Sequence, residues 1–153
     1  ASADSTSPAS RLMKPQLVDV NVLIAAARED HQHHEVARAW VNRCVDGEVI
    51  LCRIVTLGYL RLLTNRQVMA EKVLTVKEAW SELTRIERDR RCRYCPEPEG
   101  VMALMRQWTE GRAMSGASWT DAYLAAFAVQ AGLKLATLDK GALIYPVDAE
   151  PIQ

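Results

Sequence analysis

Short apolar runs that alternate with helix-patterned chain constrain this sequence more than any other feature. Leu17-Val18-Asp19-Val20 reads as a short strand ending in a polar turn, and Glu48-Val49-Ile50-Leu51-Cys52 as a continuous apolar strand. Residues 133–138 form a third such run, closed by Asp139. Continuous runs with β-branched residues mark strands buried on both faces, as in parallel sheets. Residues 93–95 read as a weaker strand and 144–147 as a candidate fifth. Strands separated by helices predict an α/β fold with a largely parallel sheet, in one domain.

The helices are read from spacing and caps. Asn21 is placed to cap a helix over 22–27. A second opens at 30–34, carries Val36, Ala39, Trp40 and Cys44 at helical spacing, and stops at Asp46-Gly47. Residues 54–63 form a third, with Tyr59, Leu60 and Leu63 inward. Thr75 and Glu78 make a capping-box pattern ahead of a helix whose Ala79, Trp80, Leu83 and Ile86 share a face. The charge run 87–93 reads as its solvated end. Amphipathic and Ala-rich helices are expected over 97–110 and 118–130, the latter stopped by Gly132. Trp40, Trp80, Trp108 and Trp119 fall on apolar faces, and core packing is expected for at least the first three.

With 153 residues, 49% of them apolar, the chain suits one domain with a real core. Nineteen basic residues balance nineteen acidic ones, which excludes a polybasic DNA coat but not a local basic groove. No apolar run reaches the ~18 residues of a membrane span, and no signal pattern opens the chain. Residues 1–12 read as a flexible tail or expression remnant, and 13–153 as the folded domain. Cys92 and Cys95 form a lone C-x-x-C without a second ligand pair. The expectation is therefore four reduced thiols in a cytoplasmic protein. His31, His33 and His34 likewise lack further zinc ligands.

In an open parallel sheet the strand C-termini and helix N-termini share one edge, where sites form. Asp19 and Asp139 end strands, and Asp121 is expected in the first turn of the helix before the last of these. Each has a bland reading. Asp121 with Ser118 also fits a capping box, Asp139 fits a turn cap before Gly141, and only Asp19 is costly without a partner. Gathered together, three carboxylates repel one another, and a hard divalent cation such as magnesium or manganese relieves the conflict. Such an ion also activates water and neutralises charge on a phosphodiester.

The segment Leu17-Val18-Asp19-Val20-Asn21-Val22-Leu23-Ile24 resembles the opening strand of PIN domains, as in VapC-type toxins of bacterial toxin–antitoxin pairs. The resemblance continues in His31-Gln32-His33-His34 with Ala39-Trp40, and in Leu60-Arg61-Leu62-Leu63-Thr64-Asn65. It returns in Trp119-Thr120-Asp121-Ala122-Tyr123-Leu124-Ala125-Ala126 and Leu135-Ala136-Thr137-Leu138-Asp139, and spans 16–145. It implies a three-layer α/β/α fold around a mainly parallel sheet of about five strands. It also implies a magnesium-dependent endoribonuclease, dimeric and inhibited by a cognate antitoxin. Asp19, Asp121 and Asp139 match three of the four family acids, Asn21 the polar residue supporting the first, and Ser118 a small hydroxyl residue near the third. One departure stands out: Thr56 occupies the position of the family's usual Glu.

On this resemblance the three aspartates hold the metal, Asp121 accepts a proton, and RNA is cut to a 5′-phosphate and a 3′-hydroxyl. A basic rim must hold the RNA backbone, with Arg53 and Arg112 the first candidates, then Arg61 and Arg66. The Thr56 departure motivates an alternative, a catalytically weakened domain that binds RNA or antitoxin. An aspartyl phosphotransferase of the haloacid dehalogenase type would need an Asp at position 21, which is Asn.

Overall fold

The computed structural model describes residues 14–153; the expected tail over 1–12 lies outside the described residues. Among these residues five parallel strands form one sheet in the order β3-β2-β1-β4-β5. They are β1 (Gln16–Val18), β2 (Val49–Leu51), β3 (Cys92–Tyr94), β4 (Lys134–Thr137) and β5 (Ala149–Pro151). Leu17, Val18, Ile50, Leu51, Leu135 and Ala136 are essentially inaccessible, as runs buried on both faces require. Each such Leu or Val contributes ~2 kcal/mol by leaving water.

Among the described residues seven α-helices connect the strands: α1 (Val20–Ala27), α2 (His34–Arg43), α3 (Arg53–Leu63), α4 (Arg66–Met69), α5 (Val76–Arg88), α6 (Val101–Thr109) and α7 (Gly116–Ala131). Helices α1, α2, α3 and α5 pack together as one group, and α6 with α7 as another. The result is the expected three-layer α/β/α arrangement with a parallel sheet. Register places β1 directly between β2 and β4, with Val18 opposite Ala136.

Several local expectations need correction. The first helix begins at Val20, so Asp19 and not Asn21 holds the cap position, and no side chain caps the helix. In α2 it is Ala37 that is buried beside Trp40, whereas Ala39 is exposed. The capping box of Thr75 and Glu78 forms as expected. Trp80, on the same helix, is 55% exposed because Ala79 and Leu83 already fill the contact with α3. The charge run is not merely solvated: Asp89 holds Arg91, whose Nη1 reaches the Val41 carbonyl at 3.1 Å. Residues 144–147 are not a strand. A 3-10 turn over Gly141–Ile144 leads through Tyr145 to β5, one step later. Trp108 is half-buried and stacks on Tyr145 at 5.2 Å. Gly132 stops α7 with φ of 69°, a left-handed turn that glycine adopts at no steric cost.

The four cysteines are free thiols. Burial pushes Cys44, Cys52 and Cys92 up to about 11, so they are poor nucleophiles. Among the described residues no helix is long and apolar enough to cross a membrane.

Candidate active site

Asp19 follows the last residue of β1, and its backbone N–H donates to the Ala136 carbonyl at 2.9 Å. It is thereby fixed against the end of β4. Thr137 ends β4 and Asp139 lies two residues on, in the turn before Gly141. Asp121 comes from α7, which starts at Gly116, so the aspartate lies in the second helical turn and not the first. The expected Ser118–Asp121 capping box is absent, and the Ser118 hydroxyl pairs with that of Ser115 at 3.1 Å.

Thr137, missed from the sequence, organises the centre. It is fully buried, and its hydroxyl donates to Asp19 Oδ2 at 2.9 Å. Thr137 Oγ1 also accepts the Asp139 backbone N–H at 2.9 Å and a longer contact, 3.5 Å, from Asn21 Nδ2. Asn21 Oδ1 accepts the Leu138 N–H at 3.3 Å. Asn21 thus braces the β4 turn beside Asp19, through Thr137 and the Leu138 N–H. Asp139 Oδ1 accepts the Gly141 N–H at 3.0 Å, as the turn-cap reading expects. Gly141 was also missed: a Cβ there would overlap Asp121 Oδ2, so the acid needs a glycine beside it. The available signal was local, a Thr two residues before an acid that ends a buried strand and a Gly two residues after it.

Electrostatics bind the three acids into one unit. Asp19 is only 6% exposed, and burial raises its carboxyl above the ordinary value against the lowering hydrogen bond from Thr137. Asp121 is pushed up to about 6, first by burial and then by the charges of Asp139 and Asp19. Among the described residues none of the three forms an ion pair with Lys or Arg. Among those residues no three His, Cys, Asp or Glu side chains form a ready-made metal cage either. The donor set still fits a hard divalent cation. It supplies carboxylate oxygens whose mutual repulsion such an ion relieves, and magnesium keeps several waters that span gaps between ligands.

The remaining candidates flank this centre. Thr56 is buried in the first turns of α3, and its hydroxyl donates to the Arg53 carbonyl at 3.1 Å and accepts from Arg53 Nη1 at 3.4 Å. The Arg53 guanidinium lies 4.8 Å over the Tyr94 ring. Arg112 lies 5.2 Å over Tyr145, with its Nε donating to the Trp108 carbonyl at 2.9 Å. The histidines serve local structure: His34 Nδ1 meets the Ala25 carbonyl at 2.8 Å, and His31 Nδ1 accepts the His33 N–H. Trp119 is 49% exposed in the first turn of α7.

This architecture and these acids define a class, and residues 17–147 match the PIN domain family. The chain belongs to that family. It is 37% identical over 128 residues to ribonuclease VapC41 of Mycobacterium tuberculosis, covering 80% of this chain and 88% of the relative. Among solved structures, FitAcB from Neisseria gonorrhoeae matches 84% of this chain and 90% of its own at 25% identity, with a TM-score of 0.59. VapBC-1 from nontypeable Haemophilus influenzae shares the fold at a TM-score of 0.63 and 11% identity, over 89% of this chain and 96% of its own.

Proposed function

We propose that this protein is the ribonuclease toxin of a VapBC-like toxin–antitoxin pair, and that it hydrolyses RNA phosphodiester bonds with a bound magnesium or manganese ion. One observation carries the reading: three carboxylates meet at one sheet edge, unneutralised by any described Lys or Arg, in a relative of a named ribonuclease. The cognate antitoxin, a homodimer and a cytoplasmic setting belong to the same reading.

Asp19, Asp121 and Asp139 would hold the ion. When bound, it supplies an activated water and neutralises charge developing on the phosphodiester. Thr137 keeps Asp19 in one orientation by donating to its Oδ2. Asp121, beside Asp139 and Asp19 at this edge, is placed to accept the proton of the attacking water. Water oxygen bonds to phosphorus, the bond to the 3′ oxygen breaks, and that oxygen leaves as a hydroxyl on taking a proton from solvent. Arg53 and Arg112 hold the flanking backbone by their guanidinium forks.

A second reading, a weakened domain that binds RNA or antitoxin, draws on Thr56, whose hydroxyl is spent on Arg53 and which adds no fourth acid. Cleavage of a structured RNA, with wild type and Asp19→Ala compared in magnesium, manganese and EDTA, decides between them. Metal-dependent cleavage lost in the variant supports the nuclease. Equal traces in both refute it and leave the binding module.

A further inference from the structure

Arg53 and Tyr94 meet at the catalytic edge, one strand away from Asp19. Arg53 opens α3 directly after β2, and Tyr94 closes β3, which pairs with β2 in the register Leu51 to Tyr94. Tyr94 is 42% exposed and carries the guanidinium 4.8 Å over its ring. Thr56 Oγ1 accepts from Arg53 Nη1, and that threonine is itself buried and anchored by its bond to the Arg53 carbonyl. Among the described residues Arg53 has no acidic partner, unlike Arg28, Arg85 and Arg91. Glu97, which follows β3, is taken up by the Tyr123 hydroxyl at 2.6 Å.

An exposed arginine usually swings freely or pairs with a carboxylate. Here an aromatic face and a hydroxyl fix it, while most of its five N–H donors stay open. A planar fork pre-set in this way suits a tetrahedral oxyanion, because little side-chain freedom is lost on binding. Arg112 repeats the device with Tyr145 and the Trp108 carbonyl.

We propose that Arg53, held by Tyr94 and Thr56, forms a subsite for a backbone phosphate of the RNA strand next to the cleavage centre. Tyr94 and Thr56 are positioning residues in it. The proposal rests on the ribonuclease reading above.

The test follows binding of a fluorescent single-stranded RNA by anisotropy across a salt series, in EDTA so that no hydrolysis intervenes. Tyr94→Leu is expected to weaken binding about three- to tenfold and to lower the log–log salt slope by about 0.7, the share of one single-strand phosphate. Tyr94→Phe keeps the ring face and is expected to recover most of that loss. Thr56→Val keeps the shape and removes the hydroxyl that accepts from Arg53 Nη1, so a loss of slope in the same direction is expected. Wild-type slopes in both Tyr94→Leu and Thr56→Val overturn the subsite, and cleavage that depends on Asp19 then shows the nuclease reading still stands. Wild type that neither binds nor cleaves RNA overturns both together.

Discussion

Replacing Asp121 by Asn should stabilise the fold while abolishing cleavage. The carboxyl is held at about 6, against 3.8 for the free side chain, by burial and by Asp139 and Asp19. Below 3.8 both the folded and unfolded states bind the proton, and the acid costs nothing. As pH rises from 3.8 to 6 the unfolded state releases its proton first, so stability falls and then levels off. Fully expressed, that gap corresponds to ~3 kcal/mol at neutral pH. Solvent screening of a half-buried carboxylate reduces this to ~1–2 kcal/mol. Asparagine carries no charge and escapes the loss. In a domain of this size the gain is about 3–6 °C in Tm. Calorimetry in EDTA at pH 7.5 and pH 4 reads it directly, and the difference between variant and wild type should shrink toward zero at the lower pH. Added magnesium should then stabilise wild type more than the variant, since only wild type keeps the full ligand set. A variant less stable than wild type at pH 7.5, or a difference indifferent to pH, would refute the electrostatic account.

Thr137→Val keeps the shape and removes the hydroxyl that serves Asp19 and the Asp139 N–H. Urea denaturation should show a loss of about 2–3 kcal/mol, and cleavage should fall with it, because Asp19 loses its orientation. Gly141→Ala puts a methyl onto Asp121 Oδ2. Cleavage should drop at least about tenfold with a smaller stability change, read by activity beside thermal melting, since displacing an acid at a reacting centre is costly. Thr75→Ala opens the capping box at the start of α5, where chemical denaturation should show a loss of about 1 kcal/mol with cleavage unchanged.

Element type was legible wherever local signals agreed. The strand at β2, the capping box at Thr75 and the stop at Gly132 all follow from chemistry within a few residues. Side-chain burial was less legible. Trp80 lies on the apolar side of its helix by periodicity, yet smaller neighbours take the contact and leave it in solvent. Helix starts shifted for a similar reason. Only Asp19 separates β1 from α1, so the cap position falls on Asp19, whose carboxylate is held by Thr137 and makes no capping bond.

The sequence by itself determined that acids end two buried strands and that a third lies early in the helix before one of them. That follows from local pattern, because an apolar run must end where the chain returns to water. Only the tertiary structure decided that the three act as one site. Pairing of β1 with β4, strands more than a hundred residues apart, brings Asp19 against Thr137 and so beside Asp139. The rise of Asp121 to about 6 depends on that closure too, because burial of its carboxyl, and then repulsion from Asp139 and Asp19, arise only once distant segments share one edge.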